Sequence, residues 1–243
     1  MLLGQERATV IVGHFGSGKS EVAVHLALAA REDGRGVTLM DLDLVNPYFR
    51  SREAMELLEA RGIRVVVPGG NLRDADLPIL VPQVRAHLAA ATAYGVLDVG
   101  GDDVGARVLG SLSDVLGSEG HRVLMVLNAK RPFSDTVAGC RRVQGEIEAA
   151  ARLRISGFVS NAHMMEETDL AVLQEGLDLA RAVASEAGLP LEFITAPRTL
   201  AAEIAAEVDL PVLAIDRRLL PPWLKEGRTK GAGPAPARPL FGP

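Results

Sequence analysis

The segment Gly13–Ser20, GHFGSGKS, is the feature that most constrains how this chain folds. It lies between the short apolar run Ala8–Val12 and the helix-like apolar pattern Lys19–Arg31. Glycine tolerates backbone conformations with positive φ, which allow a short loop to curl around a bound group. The pattern therefore predicts a strand, a tight glycine-rich turn and a helix, in that order.

This segment matches G-x-x-x-x-G-K-[ST] completely, a pattern typical of a loop that wraps phosphate groups with its backbone N–H groups. The positive end of the following helix strengthens the attraction for an anion. Lys19 would place its ammonium group between the β- and γ-phosphates, and the Ser20 hydroxyl would bind Mg²⁺. The candidate nucleotide-binding residues of this loop are Gly13, His14, Phe15, Gly16, Ser17, Gly18, Lys19 and Ser20.

The lysine of this loop is informative because the chain rarely uses lysine. It contains 22 arginines and only four lysines, so arginine is its usual cation. Arginine is bulkier and forked, whereas lysine is a compact point charge that fits inside a small loop. The choice of lysine at position 19 supports the phosphate-binding interpretation.

Composition excludes several other classes of protein. Of the 243 residues, 48% are hydrophobic, which is enough for a sizeable core. Only 4% are aromatic, so few side chains are available to stack on nucleic-acid bases. The net charge of -5 disfavours a surface that binds nucleic acid or an anionic membrane. The single cysteine, Cys140, excludes an internal disulfide and a Cys-x-x-Cys metal site. No apolar run reaches the roughly 18 residues of a membrane span, and no signal peptide is evident, so the cytoplasm is the expected location.

Short β-branched apolar runs alternate with helical patterns along the chain. This alternation predicts an α/β fold: a doubly wound, mainly parallel sheet with helices on both faces, in a three-layer α/β/α arrangement. Together with the motif GHFGSGKS, this arrangement is typical of P-loop NTPases. The predicted strands are Ala8–Val12, Val37–Asp41, Ile63–Val67, Gly95–Asp98, Val123–Leu127, Ile155–Ser160, Leu191–Thr195 and Val212–Ile215. The predicted helices are Lys19–Arg31, Ser51–Arg61, Ile79–Ala91, Gly105–Leu116, Asp135–Arg152, Asp169–Ala187 and Leu200–Glu207.

The composition changes near residue 221. We expect one nucleotide-binding domain over residues 1–220 and an extended or disordered tail, rich in Pro and Gly, over residues 221–243.

A magnesium nucleotide site also needs carboxylates at the C-terminal edge of the sheet, where ligands of open α/β sheets bind. In the segment "LDVGG", Asp98 ends an apolar strand and Gly101 follows in the pattern D-x-x-G. Asp98 would hold Mg²⁺, and the backbone N–H of Gly101 would reach the γ-phosphate.

A second pair of carboxylates, Asp41 and Asp43, follows the next strand in the segment "DLDLVNP". One of them could support Mg²⁺ and its waters while the other orients an attacking water. The alternative is an ordinary turn or helix-capping aspartate, which residues of this type often form.

The segments GHFGSGKS, DLDLVNP and LDVGG together resemble the MinD/ParA/CobQ-like P-loop ATPases of the SIMIBI class. The resemblance implies that Asp43 is the switch aspartate linked to hydrolysis, that Asp41 is its companion and that Asp98 is the Walker B residue. It also implies that Asn161 contacts the nucleotide base, with Pro197 and Arg198 as weaker candidates. ATP is favoured over GTP, because the guanine-reading N-K-x-D pattern is absent from "LNAKRPF". Lys130 or Arg131 of that segment could instead meet phosphate, substrate or solvent.

The chain also departs from that family. His14 stands where members that form ATP-sandwich dimers carry a signature lysine, so this sequence belongs to a branch without it. Arg50 and Arg52 could supply the missing charge, or could be solvated residues at a helix start. The absence of Cys-x-Cys, of a C-terminal amphipathic helix and of basic patches disfavours metal-cluster carriers, membrane cycling and DNA segregation.

The resemblance favours a Mg-ATP-dependent switch that hydrolyses ATP slowly and acts on an unidentified partner protein, with a homodimer left open. An alternative is a small-molecule kinase or ATP-dependent ligase resembling dethiobiotin synthetase, in which Pro68–Pro82 could shape a substrate surface. A third hypothesis is a nucleotide-binding scaffold without turnover, because His14 replaces an activating lysine.

Overall fold

Eight short strands form one sheet in the part of the chain that the computed structural model describes, which comprises residues 2–43, 55–67, 77–90, 93–101, 103–116 and 120–216. Their order across the sheet is β3-β2-β4-β1-β5-β6-β7-β8, and all seven neighbouring pairs are parallel. The strands are β1 (Ala8–Val12), β2 (Val37–Leu42), β3 (Arg64–Val66), β4 (Tyr94–Val99), β5 (His121–Leu127), β6 (Gly157–Ser160), β7 (Leu191–Pro197) and β8 (Val212–Ile215).

Helices connect the strands and cover the sheet. They are α1 (Lys19–Glu32), α2 (Met55–Ala60), α3 (Leu77–Ala90), α4 (Asp103–Gly110), α5 (Ser113–Leu116), α6 (Val137–Ala151), α7 (Leu170–Ala187) and α8 (Arg198–Glu207), with a 3₁₀ turn at Met165–Glu167. The predicted doubly wound α/β fold is therefore confirmed. No helix among these residues is long and apolar enough to cross a membrane.

Both faces of the sheet are buried, which explains why the strands are almost continuously apolar. On β1, Val10 packs in a cluster with α3, α4, α6 and α7, whereas the next residue, Ile11, packs in the cluster that contains α1. A third, smaller cluster joins α7 and α8 to β7. Core residues of both helical layers therefore pack against β1, the strand that leads into the glycine-rich loop.

The sequence placed every described strand to within two residues, but one helix prediction was wrong. The pattern Gly105–Leu116 forms two helices, α4 and α5, instead of one. At the break the Ser111 hydroxyl donates to the Val108 carbonyl at 2.6 Å and the Ser113 hydroxyl to the Gly110 carbonyl at 2.8 Å. Serine hydroxyls that bond nearby carbonyls compete with the helical hydrogen bonds, and this competition ends α4.

Several predictions fall outside the described residues. Arg50 and Arg52 lie outside them, and so does most of Pro68–Pro82. The predicted helix Ser51–Arg61 is described only from Met55 onward. The proposed boundary at residue 220 and the tail 221–243 are also outside the described part of the chain.

Candidate functional site

The glycine-rich segment forms a tight loop between β1 and α1. Gly13 has φ +148°, and a Cβ at that position would lie 2.7 Å from the carbonyl oxygen of Val126 on the neighbouring strand. Gly18 has φ +87° and caps α1, and its Cβ would lie 2.3 Å from the side-chain nitrogen of Asn161. Both positions therefore require glycine, for backbone conformation and for space.

Lys19 and Ser20 form the first turn of α1 and are both 3% exposed. The Lys19 ammonium bends back over the loop and donates to the backbone carbonyl of His14 at 3.2 Å. The predicted cation and the predicted hydroxyl therefore lie at the N-terminal end of α1, where the helix dipole adds positive potential.

Gly101 brings the end of β4 into contact with this loop. A Cβ at Gly101 would lie 2.7 Å from the Lys19 ammonium nitrogen and 2.8 Å from the backbone nitrogen of Phe15. The sequence separates these residues by more than eighty positions, and the pairing of β1 with β4 brings them together. The structure therefore places Gly101 of the D-x-x-G segment against the glycine-rich loop.

Asp41 and Asp98 are register partners on the neighbouring parallel strands β2 and β4. Asp98 is also the register partner of Ile11, whose side chain packs on the α1 face of the sheet. Because paired residues of parallel strands project to the same face, the two carboxylates lie on the face that carries α1. Both are almost fully buried, at 2% and 1% exposure.

Asp43 follows the end of β2 and is partly exposed. Its backbone N–H donates to the Asp41 carboxylate at 2.9 Å, so Asp41 stabilises the turn in which Asp43 lies. This contact is the turn-forming role that the sequence left open for Asp41. Asp43 borders residues 44–54, which lie outside the described part of the chain.

The donor set fits a magnesium ion that arrives with a nucleotide. Mg²⁺ prefers oxygen ligands and usually takes one or two carboxylates together with phosphate oxygens and waters. Ser20 offers a hydroxyl at the start of α1, Asp98 a buried carboxylate near the end of β4, and Asp43 a partly exposed carboxylate after β2. Among the described residues there is no cluster of three or more His, Cys, Asp or Glu side chains that would hold a metal by itself.

Asn161 has a structural role that the sequence did not predict. Its side-chain amide donates to the backbone carbonyl of Ser17 at 2.6 Å, and its side-chain oxygen accepts a short hydrogen bond from Thr195. The residue is 6% exposed and ties the ends of β6 and β7 to the phosphate loop. Only the strand order, which sequence periodicity does not give, could have revealed this contact.

A cavity of about 420 Å³ opens beside the loop, on the side of β6 and β7. Its walls come from the loop and α1, from the segments that follow β5 and β6, and from the ends of β7 and β8. They include Phe15, Gly16, Gly18, Ser20, Glu21, Arg131, Asn161, His163, Met165, Thr195, Pro197 and Ile215. The predicted candidates Asn161 and Pro197 therefore line one cavity together with the loop. Arg198 instead forms an ion pair with Asp216 at 2.8 Å.

Arg131 is a residue of this cavity for which the sequence left contact with phosphate, substrate or solvent open. Its Nε donates to the carbonyl of Gly16 at 3.2 Å, so the side chain lies directly against the loop. The adjacent Lys130 points elsewhere and pairs with Glu175. The segment "LNAKRPF" alone gave no reason to expect different roles for Lys130 and Arg131.

His14 is held within the loop region. Its Nδ1 lies 3.1 Å from the carbonyl oxygen of Phe15, and its ring lies 5.6 Å from the ring of Phe133, centroid to centroid. A second, smaller cavity of about 70 Å³ lies on this side of the loop and is lined by Gly13, His14, Gly101, Leu109 and Glu146, among others.

Comparisons with solved structures identify proteins with a similar fold. FtsY from Mycoplasma mycoides aligns with a TM-score of 0.54 and 16% identity over 77% of this chain. The signal recognition particle receptor FtsY from Elizabethkingia anophelis, in complex with GDP, aligns with a TM-score of 0.52 and 16% identity over 79%. The signal recognition particle 54 kDa protein from Aeropyrum pernix K1, also with GDP, aligns with a TM-score of 0.51 and 21% identity over 79%.

The present chain spans 60%, 58% and 41% of the lengths of those three chains, respectively. The sequence matches no protein-family model and no curated protein. At these identities the similarity shows the fold alone, which is the parallel α/β fold that this chain shares with the FtsY and signal recognition particle proteins.

Proposed function

We propose that this protein binds Mg-ATP, hydrolyses it slowly and acts as a nucleotide-dependent switch on a partner protein. The observation that carries the proposal is the convergence of Lys19, Gly101 and the loop amides at one point. Lys19 and the helix end supply positive charge, Gly101 approaches from β4, and the carboxylate of Asp98 lies at the end of that strand. This arrangement suits a polyanion whose metal is held by a nearby hydroxyl and carboxylate.

The contact between Gly101 and the loop supports a switch. A terminal phosphate would need the Lys19 ammonium, which now donates to the His14 carbonyl beside Gly101. Binding of a triphosphate would therefore alter the contacts of Gly101, whereas a diphosphate would leave them largely unchanged. Gly101 leads directly into α4, so a change there can be transmitted to the helical layer.

The surface around the cavity supports a protein partner. Among the described residues, the exposed large hydrophobic side chains are Phe15, Phe133, Met164 and Met165, and the two phenylalanines are 61% and 60% exposed. Phe15 and Met165 line the cavity, and Phe133 contacts His14 of the loop. Apolar side chains gathered at one place on a surface are typical of interaction sites. We infer that the partner docks over this rim, and we keep a homodimer as one form of that partner.

ATP remains the proposed nucleotide, on the absence of N-K-x-D. The similar proteins from Elizabethkingia anophelis and Aeropyrum pernix were solved with GDP, so the choice between adenine and guanine is tested separately. Guanine would need a carboxylate to accept from its ring N–H and amino group. Glu21 is the carboxylate among the described cavity residues. Glu21→Gln should leave ATP affinity unchanged, and a selective loss of GTP affinity would favour GTP.

The proposal keeps the resemblance to MinD/ParA/CobQ-like ATPases and a cytoplasmic location. Ser20 and Asp98 would hold Mg²⁺, which would neutralise phosphate charge, and Asp43 would orient the attacking water. His14 cannot act as a fixed cation across a dimer, so we expect slow turnover. The kinase alternative would place its substrate beside Pro68–Pro82, most of which lies outside the described residues.

Hydrolysis in the absence of any acceptor tests this proposal. The purified protein should release phosphate from Mg-ATP slowly without a second substrate. Asp43→Ala should bind ATP as the parent does and retain it unhydrolysed. ATP that stays intact until a small acceptor is added would favour a kinase, and tight binding without phosphate release under either condition would favour a scaffold.

A further inference from the structure

Arg131 lies against the phosphate loop on the side of the larger cavity. Its Nε donates to the Gly16 carbonyl at 3.2 Å. Its Cδ and Nε lie 3.6 Å from the place where a Cβ at Gly16 would be. The guanidinium group is therefore held at the tip of the loop and at the wall of the cavity.

The turn that carries Arg131 is fixed by hydrogen bonds at both ends. The Arg131 N–H donates to the Asn128 carbonyl at 3.1 Å, and its own carbonyl accepts from the Ser134 N–H at 3.2 Å. The Ser134 hydroxyl also donates to the Asn128 carbonyl at 3.1 Å. Asn128 and Ser134 are both buried, so the backbone at Arg131 is anchored to the end of β5.

The guanidinium group retains donors that can serve a ligand. Arginine has five N–H donors, and the bond to Gly16 uses only the one on Nε. Within the described part of the chain, no carboxylate lies within ion-pair distance of Arg131, whereas the adjacent Lys130 pairs with Glu175. Arg131 thus brings a positive charge, uncompensated by those residues, to a cavity that also contains the loop.

The two cations contact different parts of the loop. Lys19 lies on the side of Gly101 and β4, where we place the terminal phosphate. Arg131 lies on the side of Gly16, which faces the cavity formed with Thr195 and Pro197. If the terminal phosphate lies near Lys19 and the base lies in the cavity, the part of the nucleotide between them would lie next to Arg131.

We propose that Arg131 binds an inner phosphate of the nucleotide, the α- or β-phosphate, through its free Nη donors. This inference rests on the proposed function, since it assumes that the loop and the cavity hold one nucleotide. The forked guanidinium suits two oxygens of one phosphate group. The contact is common to diphosphate and triphosphate, so Arg131 sets the affinity for both and does not sense the terminal phosphate.

The test compares Arg131→Gln with Lys130→Gln as a matched control at the next position. Dissociation constants for ADP, ATP and adenosine are measured by calorimetry at several salt concentrations. Loss of the hydrogen bonds between the guanidinium group and a phosphate should weaken the binding of ADP and of ATP by the same factor, roughly ten- to hundredfold. The affinity for adenosine should not change. The salt dependence of ADP binding should also become shallower, because a charge that contacts phosphate has been removed. Lys130→Gln should bind like the parent.

Arg131→Lys provides a second variant that retains the charge. It should restore the salt dependence and part of the affinity. Unchanged ADP affinity in Arg131→Gln overturns the inference while leaving the proposed function intact. A loss of affinity confined to ATP also overturns it, because it would indicate contact with the terminal phosphate. A loss of affinity with unchanged salt dependence overturns it as well, because it would indicate that Arg131 only supports the structure of the loop. Failure of the parent to bind any nucleotide overturns both proposals.

Discussion

The side-chain amide of Asn161 donates to the backbone carbonyl of Ser17 at 2.6 Å, across the gap between β6 and the phosphate loop. Thr195 completes the connection by donating to the Asn161 side-chain oxygen. The residue for which the resemblance implied a base contact therefore holds the loop in shape. The geometry of the loop depends on two strands that follow it far along the chain.

Asn161→Asp should destabilise the fold. A carboxylate cannot donate to the Ser17 carbonyl, so two acceptors would face each other in a buried place, at a cost of about 2 kcal/mol. Urea denaturation should show a lower free energy of unfolding. The neighbouring Ser160→Ala provides the control: the buried Ser160 hydroxyl has no hydrogen-bond partner among the described residues, so its removal should not lower the free energy of unfolding. Equal stability of Asn161→Asp and the parent would contradict this role.

Gly101→Ala should selectively weaken triphosphate binding. The added Cβ would lie 2.7 Å from the Lys19 ammonium nitrogen and 2.8 Å from the Phe15 backbone nitrogen, so it would compete for the space of the terminal phosphate. We expect ATP affinity to fall at least about tenfold, or ~1.4 kcal/mol, with a smaller effect on ADP. Gly145→Ala is the matched control, because a Cβ at Gly145 on α6 meets no atom within 4 Å. Equal losses for ADP and ATP would contradict the placement of Gly101 at the terminal phosphate.

His87 should make the fold less stable in mild acid. Desolvation by burial, followed by the positive charge of Arg64, lowers the pKa of His87 from its ordinary value of 6.5. The unfolded chain therefore takes up a proton at a higher pH than the folded chain. This contribution to stability is fully present above pH 6.5 and is lost as the pH falls through 6.5 toward the lower folded pKa.

The measurement is the free energy of unfolding of the parent and of His87→Gln between pH 7.5 and pH 5.5. The parent should lose stability relative to the variant as the pH falls. Parallel curves for the two proteins would show that His87 does not contribute to the pH dependence.

Cys140 should not react with thiol reagents in the folded protein. Burial and the negative charge of Asp135 raise the pKa of the Cys140 thiol to about 11, and its Sγ donates to the Ser134 carbonyl at 3.4 Å. The thiolate is the reactive form, and it is scarce at neutral pH. Labelling should be complete in denaturant and slow without it, and rapid labelling of the native protein would contradict the buried placement.

The sequence predicted the strands well because buried parallel strands are marked by continuous runs of β-branched residues, as in Thr9–Val12. It predicted the loop because the geometry at Gly13 and Gly18 admits only glycine. These features are local, so the sequence contains them directly.

The features that the sequence did not give depend on contacts between distant segments. The support of Ser17 by Asn161, the position of Arg131 against Gly16 and the cavity closed by Ile215 all follow from the strand order β1-β5-β6-β7-β8. The break between α4 and α5 is local, but it depends on which acceptors the hydroxyls of Ser111 and Ser113 choose. Periodicity alone does not determine that choice.

Calorimetric titration of the purified protein with ATP and GTP, with and without Mg²⁺, tests the central claim most directly. The parent should bind ATP with an affinity that increases when Mg²⁺ is present. Lys19→Ala should lose roughly a hundredfold in affinity, because the ammonium group inside the loop has been removed, and Lys130→Ala should bind as the parent does. Absence of magnesium-dependent binding of either nucleotide, or equal affinity of Lys19→Ala and the parent, would contradict the account.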